Sequence, residues 1–476
     1  MRWTALHFPN FPLQVRFRKK LPPEPVAVAS GGPRPTIVAC CPRAATAGIR
    51  PGLTASAARA LVHELAVYPC NETMERAALE GIATWAQQFT SNACLAPPAT
   101  LLLETGGSLR LFGGPVELAK RIRYGLAALG FTATLAVAPT ALGAELLARA
   151  GRNTTIENPA TLQPALEPLP LALLDLEASA LESLAGIGAE TLGSCLRLPR
   201  DGLTRRFGQA LTDTLDRALG RLPDPRLAFV PPRRFAAWHE LPMLVPDAGA
   251  LVFRARQMLV ELCGYLACHS EGVTRLTVSL GHEKREPSRI TLKLTVPIRD
   301  AADLTRLVHE RLSSTTLEQP VAALGLVAEE TAPLASTTHS LFGDGRHIAD
   351  DRELLLARLQ ARLGEDAVSW LVAFPDHRPE RAYRESDAPL TGDAIVPARH
   401  RPLWLLPQPL AIGTRNGLPW MEGPFVLVTG PETIESGWWD DRDIARDYFV
   451  AEASDGARFW IFLDQQKRWF MHGVFS

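Results

Sequence analysis

The chain has 476 residues, with 50 Lys and Arg against 51 Asp and Glu, and 46% of its residues are hydrophobic. That length suits about three or four domains, and that apolar fraction excludes a wholly disordered protein. A formal net charge of −1 excludes a uniformly basic nucleic-acid coat, but not local basic faces, which decide phosphate binding.

The opening MRWTALHFPNFPLQVRFRKK lacks the ordered charged, apolar and small-residue regions of a signal peptide. No stretch approaches ~18 consecutive apolar residues, so the expectation is a cytoplasmic protein without a membrane span. Trp3 to Phe8 reads as a strand halted by Pro9, Thr36 to Cys40 as another, and Ala55 to Leu61 as a helix. Thr100 to Glu104 and Ser108 to Phe112 flank Gly106-Gly107 and predict a hairpin. Val116 to Leu129 has helical spacing, Thr132 to Val137 is a strand, and Pro139 to Ala150 a helix. This order predicts an α+β sheet with its helices on one face. Four prolines between Asn158 and Pro170 signal a linker. Leu173 to Leu222 is helical, broken at Gly186-Ile187-Gly188 and Pro199, and a second proline-rich joint follows at Pro223 to Pro232. A compact α+β unit comes next, with helices over Phe253 to Leu266 and Ala301 to Leu312. Its strands are Thr274 to Leu280, Ile290 to Val296 and Val321 to Val327. Six of the ten tryptophans lie between Trp404 and Trp469, which predicts a small β-rich module packed on aromatics.

Chemistry-bearing motifs are few. Seven cysteines without a CxxC pair indicate neither a zinc ribbon nor a disulfide scaffold. There is no Walker loop, GxSxG or HExxH, so no metal and no cofactor is expected; Asp376-His377 sits in a loop-like stretch and reads as surface structure. Leu184 to Gly193 suits a helix-hairpin-helix, in which Gly186, Ile187 and Gly188 let the backbone approach a phosphate. Amides from Thr191 onward would donate to its oxygens. Six arginines, Arg205 and Arg206 among them, face four acids nearby, a local +2; an ordinary helical hairpin with a glycine cap fits the same residues. Arg275, Lys284, Arg285, Arg289 and Lys293, opposed by Glu283 and Glu286, suit a strand face aimed at a phosphate backbone or a solvated sheet face. Two-metal nucleotidyl transfer needs clustered carboxylates, yet the strand ends that would carry them show His7, Pro9, Ala99 and Thr100.

Several motifs in one order resemble the Y-family translesion DNA polymerases: IVACCPRAATAGIRPGL, LLETGGSLRLFG, ATLAVAPTALGAELLA and the hairpin. With the opening LHFPNFPLQV and the ending ARFWIFLDQQKRWFMHGVFS, the chain is most similar to their ImuB-type members. The resemblance implies a multidomain α+β architecture: palm and fingers over 1–165, a helix-hairpin-helix thumb over 166–228 and a little finger over 233–332. A linker with a clamp-binding-like peptide would follow over 333–350, then a C-terminal protein-interaction region over 351–476. It also implies that catalytic positions are degenerate. His7 falls where a metal-binding aspartate belongs, Ala99-Thr100 where an Asp-Glu pair belongs, Pro42 and Ala45 at the triphosphate grip, and Ala141 and Glu145 at two palm lysines.

The expected role is therefore a non-catalytic, nucleoid-associated scaffold in SOS mutagenesis. It would link primer–template DNA, the sliding clamp, an ImuA-type RecA-like partner and an error-prone C-family polymerase. The alternative is an active polymerase with displaced ligands such as His7, Glu104 or Asn10. Thr338-His339-Ser340-Leu341-Phe342 is similar to a clamp-binding peptide without its glutamine. Eight acids against two arginines between Pro431 and Gly456, a local −6, with Trp438, Trp439, Trp460 and Trp469 nearby, predict a surface that docks protein rather than DNA.

Overall fold

In this computed structural model, residues 2–18, 21–334, 345–364, 367–386, 401–402, 404–440 and 442–475 are described. The chain falls into two compact units, Met1–Arg362 and Leu363–Ser476.

Strand β1 (Trp3–His7) stops before Pro9, which cannot donate to a ladder, and α1 (Phe11–Phe17) starts with a proline in its first turn. There follow β2 (Val26–Ala29), β3 (Ile37–Cys40), α2 (Pro42–Thr46), α3 (Ala55–Leu61) and β4 (Ala66–Pro69). The three strands form a small sheet in the order β3-β2-β4. Then come α4 (Glu72–Ala86), β5 (Ala93–Ala96), β6 (Thr100–Glu104), α5 (Pro115–Leu129), β7 (Thr134–Ala138), α6 (Ala141–Arg149) and β8 (Thr154–Thr155).

The central sheet runs β5-β6-β1-β7-β8. Its strands are apolar on both faces, so helices cover both, contrary to the one-sided expectation. Leu6, Leu101, Leu103 and Leu135 meet α4 and α5, whereas Ala5, Leu102 and Ala136 meet α6. The expected hairpin at Gly106-Gly107 does not form. Both edges of β6 are already taken by β5 and β1, and residues 105–113 coil through turns such as Ser108 N to Thr105 O, 3.1 Å.

The proline-rich stretch after Asn158 is not a bare linker: α7 (Leu162–Leu166) buries both its ends in the same core as α6. The helices α8 (Ala178–Gly186), α9 (Leu192–Leu196), α10 (Arg200–Phe207) and α11 (Gln209–Leu219) follow, broken where glycine and proline predict.

A second sheet, in the order β11-β10-β12-β9, is built from β9 (Ala236–Val245), β10 (Glu271–Gly281), β11 (Ser288–Ile298) and β12 (Val321–Pro333). Its inner face packs on α12 (Ala248–His269) and α13 (Ala301–Ser313). From α14 (Gly345–Leu363), Ala357 and Ala361 enter this same core, so the expected start of a separate region at residue 351 falls inside a helix of the first unit.

The second unit opens with the pair β13 (Trp370–Ala373) and β14 (Tyr383–Ser386). Six strands follow: β15 (Trp404–Arg415), β16 (Leu418–Trp420), β17 (Val426–Ser436), β18 (Ile444–Glu452), β19 (Arg458–Asp464) and β20 (Trp469–Val474). They are ordered β16-β15-β20-β19-β18-β17. Along β19 the side chains alternate between two cores, Ile461 on one face and Trp460 and Phe462 on the other.

Candidate functional site

His7, at the end of β1, and Ala99-Thr100, at the start of β6, meet at one end of the central sheet. His7 on β1 lies opposite Thr100 on β6 and Thr134 on β7, and Phe8 N donates to Ala99 O at 2.8 Å. His7 Nδ1 and Thr100 Oγ1 are 2.9 Å apart. Burial, then the Arg149 charge, lowers the His7 pKa, so the ring is neutral at neutral pH. Ala99 and Thr100 are buried. Among the described residues, no group of three or more His, Cys, Asp and Glu is placed to hold a metal ion.

Glu104 stands at the opposite end of β6, beside Trp3, four residue steps or about 13 Å from Thr100. Its carboxylate accepts from Arg2 N at 3.3 Å and Gly106 N at 3.1 Å. Two catalytic metals sit only about 4 Å apart, so Glu104 and His7 do not share one metal pair. Asn10 precedes α1 in the left-handed region, φ 52°.

Of the two residues expected at palm-lysine positions, Ala141 is buried in α6 and Glu145 pairs with Arg226 at 3.1 Å. Arg226 also binds Asp224 at 2.9 Å, and Arg149 binds Asp175 at 2.6 Å. An internal ion network thus engages Glu145 and the two arginines around it. Pro42 and Ala45 are exposed on α2.

In the helical hairpin, Gly186 and Ile187 end α8, and Gly188 takes φ +76°, which suits only glycine comfortably. Open space surrounds both glycines, as close approach by a backbone requires. The amides of the second helix are a correction, because the chain itself engages them. Thr191 N donates to Ser194 Oγ (3.0 Å) and Ser194 N to Thr191 Oγ1 (3.2 Å), while Leu192 N donates to Leu169 O (2.8 Å) and Gly193 N to Glu167 O (2.9 Å). Of the local arginines, Arg200 and Arg221 are drawn to Asp216. Arg205 and Arg206 are exposed in the last turn of α10.

On the second sheet, Arg289 and Lys293 alternate with buried Ile290, Leu292 and Leu294, so both stand on the outer face. Lys293 lies opposite Arg275, which pairs with Glu330 at 3.2 Å. Arg285 is bound to Glu318, while Lys284 is exposed in the turn between β10 and β11. Charge counting missed Trp238. It shares a cross-strand row with Gly325, Ser279 and Arg289, and its ring lies where Cβ atoms on Gly325 and Gly281 would fall. Two glycines in adjacent strands were the available signal.

The tryptophans of the second unit divide. Trp460 and Trp469 are 2% and 7% exposed and belong to its cores, whereas Trp438 and Trp439 are 81% and 57% exposed. The acidic stretch is less bare than its count of −6 suggests, because arginines from elsewhere reach it. Glu432 pairs with Arg401 and Glu452 with Arg458, and Asp440 with Arg378 and Arg381. Asp376 serves Arg378 and not the exposed His377. The peptide Thr338 to Phe342 lies outside the described residues.

Residues 6–149 match the impB/mucB/samB family. Protein ImuB of Caulobacter vibrioides is 30% identical over 472 residues, covering 90% of this chain and all 100% of that protein. DNA polymerase IV 2 of Mesorhizobium japonicum is 27% identical over 310 residues, 64% of this chain and 68% of that one. Among solved structures, DinB from Sulfolobus solfataricus aligns over 69% of this chain and 98% of its own at 17% identity, with a TM-score of 0.41.

Proposed function

The chain belongs to the ImuB family of Y-family polymerase homologues, and on that footing we propose that it works as a non-catalytic, DNA-binding adaptor in translesion synthesis. The observation that carries this reading is the end of the central sheet, where His7, Ala99 and Thr100 converge, none of the three a carboxylate. A neutral imidazole bonded to a threonine hydroxyl offers one ligand atom, while nucleotidyl transfer needs two metals bridged by acids. Where the resemblance expects a palm lysine, Glu145 carries the opposite charge and is held by Arg226, which supports the same reading.

DNA contact needs neither metal nor acid. Arg205 and Arg206 on the thumb, the open turn at Gly186 to Gly188, and Lys284, Arg289 and Lys293 on the little finger would hold phosphates without reading sequence. The Leu341-Phe342 pair is proposed to enter an apolar cleft of the sliding clamp. The second unit is proposed to dock the RecA-like partner and the error-prone polymerase through its exposed indoles.

Primer extension with magnesium or manganese tests the central claim, alongside a gel-shift on the same primer–template. The expected outcome is no templated incorporation with retained DNA binding. Binding should be weakened, and its log–log salt slope lowered by about 2, in the Arg205→Glu, Arg206→Glu variant. Templated incorporation that is lost in a Glu104→Ala variant would overturn the adaptor reading in favour of an active enzyme.

A further inference from the structure

A cavity of about 640 Å³ opens in the first unit between α1 and α4 of the palm and β9 and α12 of the little finger. That volume lies within the ordinary range of small-molecule sites. Its polar wall carries more buried positive than negative charge. Arg18, just after α1, and Arg254, on α12, are each 8% exposed. Arg254 Nη1 donates to Gln257 Oε1 at 3.1 Å, and Arg18 stacks 3.8 Å over the Phe131 ring. Arg18 Nε is buried without a hydrogen-bond partner, as is His239 Nδ1.

Glu261, the carboxylate buried beside them, faces His239 instead (Oε2–Nε2 3.7 Å) and lies where a Cβ on Gly81 would fall. Burial pushes its pKa up to about 7, and burial together with mutual repulsion pulls Arg18 down to about 9. Among the buried, described side chains of the lining, two guanidiniums therefore confront one carboxylate that is only partly ionised near neutral pH. A buried charge without a counter-ion is costly, and a phosphate is the anion that the guanidinium fork fits best. The apolar wall, with Phe229 and Phe235, suits a flat heterocycle. Glu80 and Glu240 line the more exposed side and would repel a polyanion such as a nucleic-acid strand.

We propose that this cavity binds a small phosphate-bearing ligand of nucleotide size, its phosphate bridging Arg18 of the palm and Arg254 of the little finger. Such a ligand fastens the two domains to each other, because each contributes one of the two cations.

Thermal unfolding of the full-length protein with inorganic phosphate, pyrophosphate, deoxyadenosine monophosphate or deoxyadenosine, at constant ionic strength, tests this. Deoxyadenosine monophosphate should raise Tm by about 2 °C or more at about a hundredfold excess over Kd, and deoxyadenosine should not. An equal rise with inorganic phosphate or pyrophosphate would identify the free anion as the source and leave the site assigned. Arg18→Gln and Arg254→Gln should each weaken binding by at least about tenfold while the unliganded Tm holds or rises, since each removes a buried charge. Phosphorus NMR line broadening gives a second readout, in which Glu261→Gln should tighten binding by removing the competing carboxylate. The proposal falls if no phosphate compound shifts Tm or broadens, or if the shift survives both arginine changes together.

Discussion

His472 joins the core of the second unit to pH. Its Nδ1 is 2.7 Å from the Tyr448 hydroxyl, the residue is 1% exposed, and burial pushes its pKa down to about 4. An unfolded histidine takes up a proton below about 6.5, whereas the folded one resists until about 4. Stability is therefore fully present above pH 6.5 and falls as pH drops through that window, by up to about 3 kcal/mol. Asp376 and Asp440, held low by hydrogen bonds from Arg378, keep their contribution until pH falls below the usual carboxylate range. Tryptophan fluorescence during unfolding should show a midpoint that declines between pH 6.5 and 4, and His472→Gln should flatten the decline; an unchanged slope would reassign it. Glu261 in the first unit has the opposite sign. Its raised pKa means the native state holds a proton that the unfolded chain releases, so stability falls as pH rises from about 4.5 to about 7. Close packing gives a second residue-scale expectation. A Cβ on Gly264 of α12 would sit 2.8 Å from both Cα and the carbonyl oxygen of Trp85 on α4, backbone atoms that no rotamer change can move. Gly264→Ala should cost about 1–3 kcal/mol in a denaturant melt, while Gly186→Ala, in open space, should stay within about 0.5 kcal/mol.

At the level of elements, the turn after β17 presents Trp438 and Trp439 on a fixed base. Gly437 takes φ +95°, and the buried Arg378 side chain binds Asp440 at 2.9 Å, Asp376 at 2.7 Å and the Arg442 carbonyl at 3.2 Å. The two indoles meet edge to face, ring centroids 5.6 Å apart, yet stay largely exposed, and preorganised aromatic anchors of this kind dominate interfaces. Trp438→Ala with Trp439→Ala should leave the melting midpoint nearly unchanged and weaken binding of the proposed RecA-like partner, read by titration, by at least about 30-fold. Arg378→Ala should damage both, because it unseats the turn. Sequence patterning located the long periodic elements well: α3 spans the predicted Ala55 to Leu61, and α5 starts one residue before the predicted Val116. It passed over β9, an edge strand that follows a proline-rich joint and carries Pro242, which cannot donate to a ladder. Ser108 to Phe112 looked like a strand because alternation is visible in sequence, but occupancy of a neighbour's edge is not. The candidate site was legible for a related reason. His7 and Thr100 each sit in a short apolar run, and two such runs in one core meet in register. The cavity around Arg18 and Arg254 was not legible, since residues 236 positions apart come together only through the packing of α1 and α12 on α4.

On the scale of the whole molecule, the proposed contacts are spread over both units, so the strength of the proposed adaptor rests on their joint action. Thumb and little finger belong to Met1–Arg362, the exposed tryptophans to Leu363–Ser476, and Leu341-Phe342 to the segment between β12 and α14. A short peptide without the glutamine of its model binds weakly alone. Tethered to a chain already on DNA, it would meet the proposed clamp partner at an effective concentration in the millimolar range. Each weak contact then multiplies the others, and losing one removes a factor of about 10²–10⁴ in retention without touching the remaining sites. Leu341→Ala with Phe342→Ala should therefore leave affinity for naked primer–template and the melting midpoint unchanged. Its lifetime on primer–template carrying a loaded clamp should shorten by about 10²-fold or more. Dissociation followed by surface plasmon resonance on both substrates reads the difference directly. Equal lifetimes of the variant and the native chain on clamp-loaded DNA would place clamp contact elsewhere, and a lowered melting midpoint would assign these two side chains to the core instead.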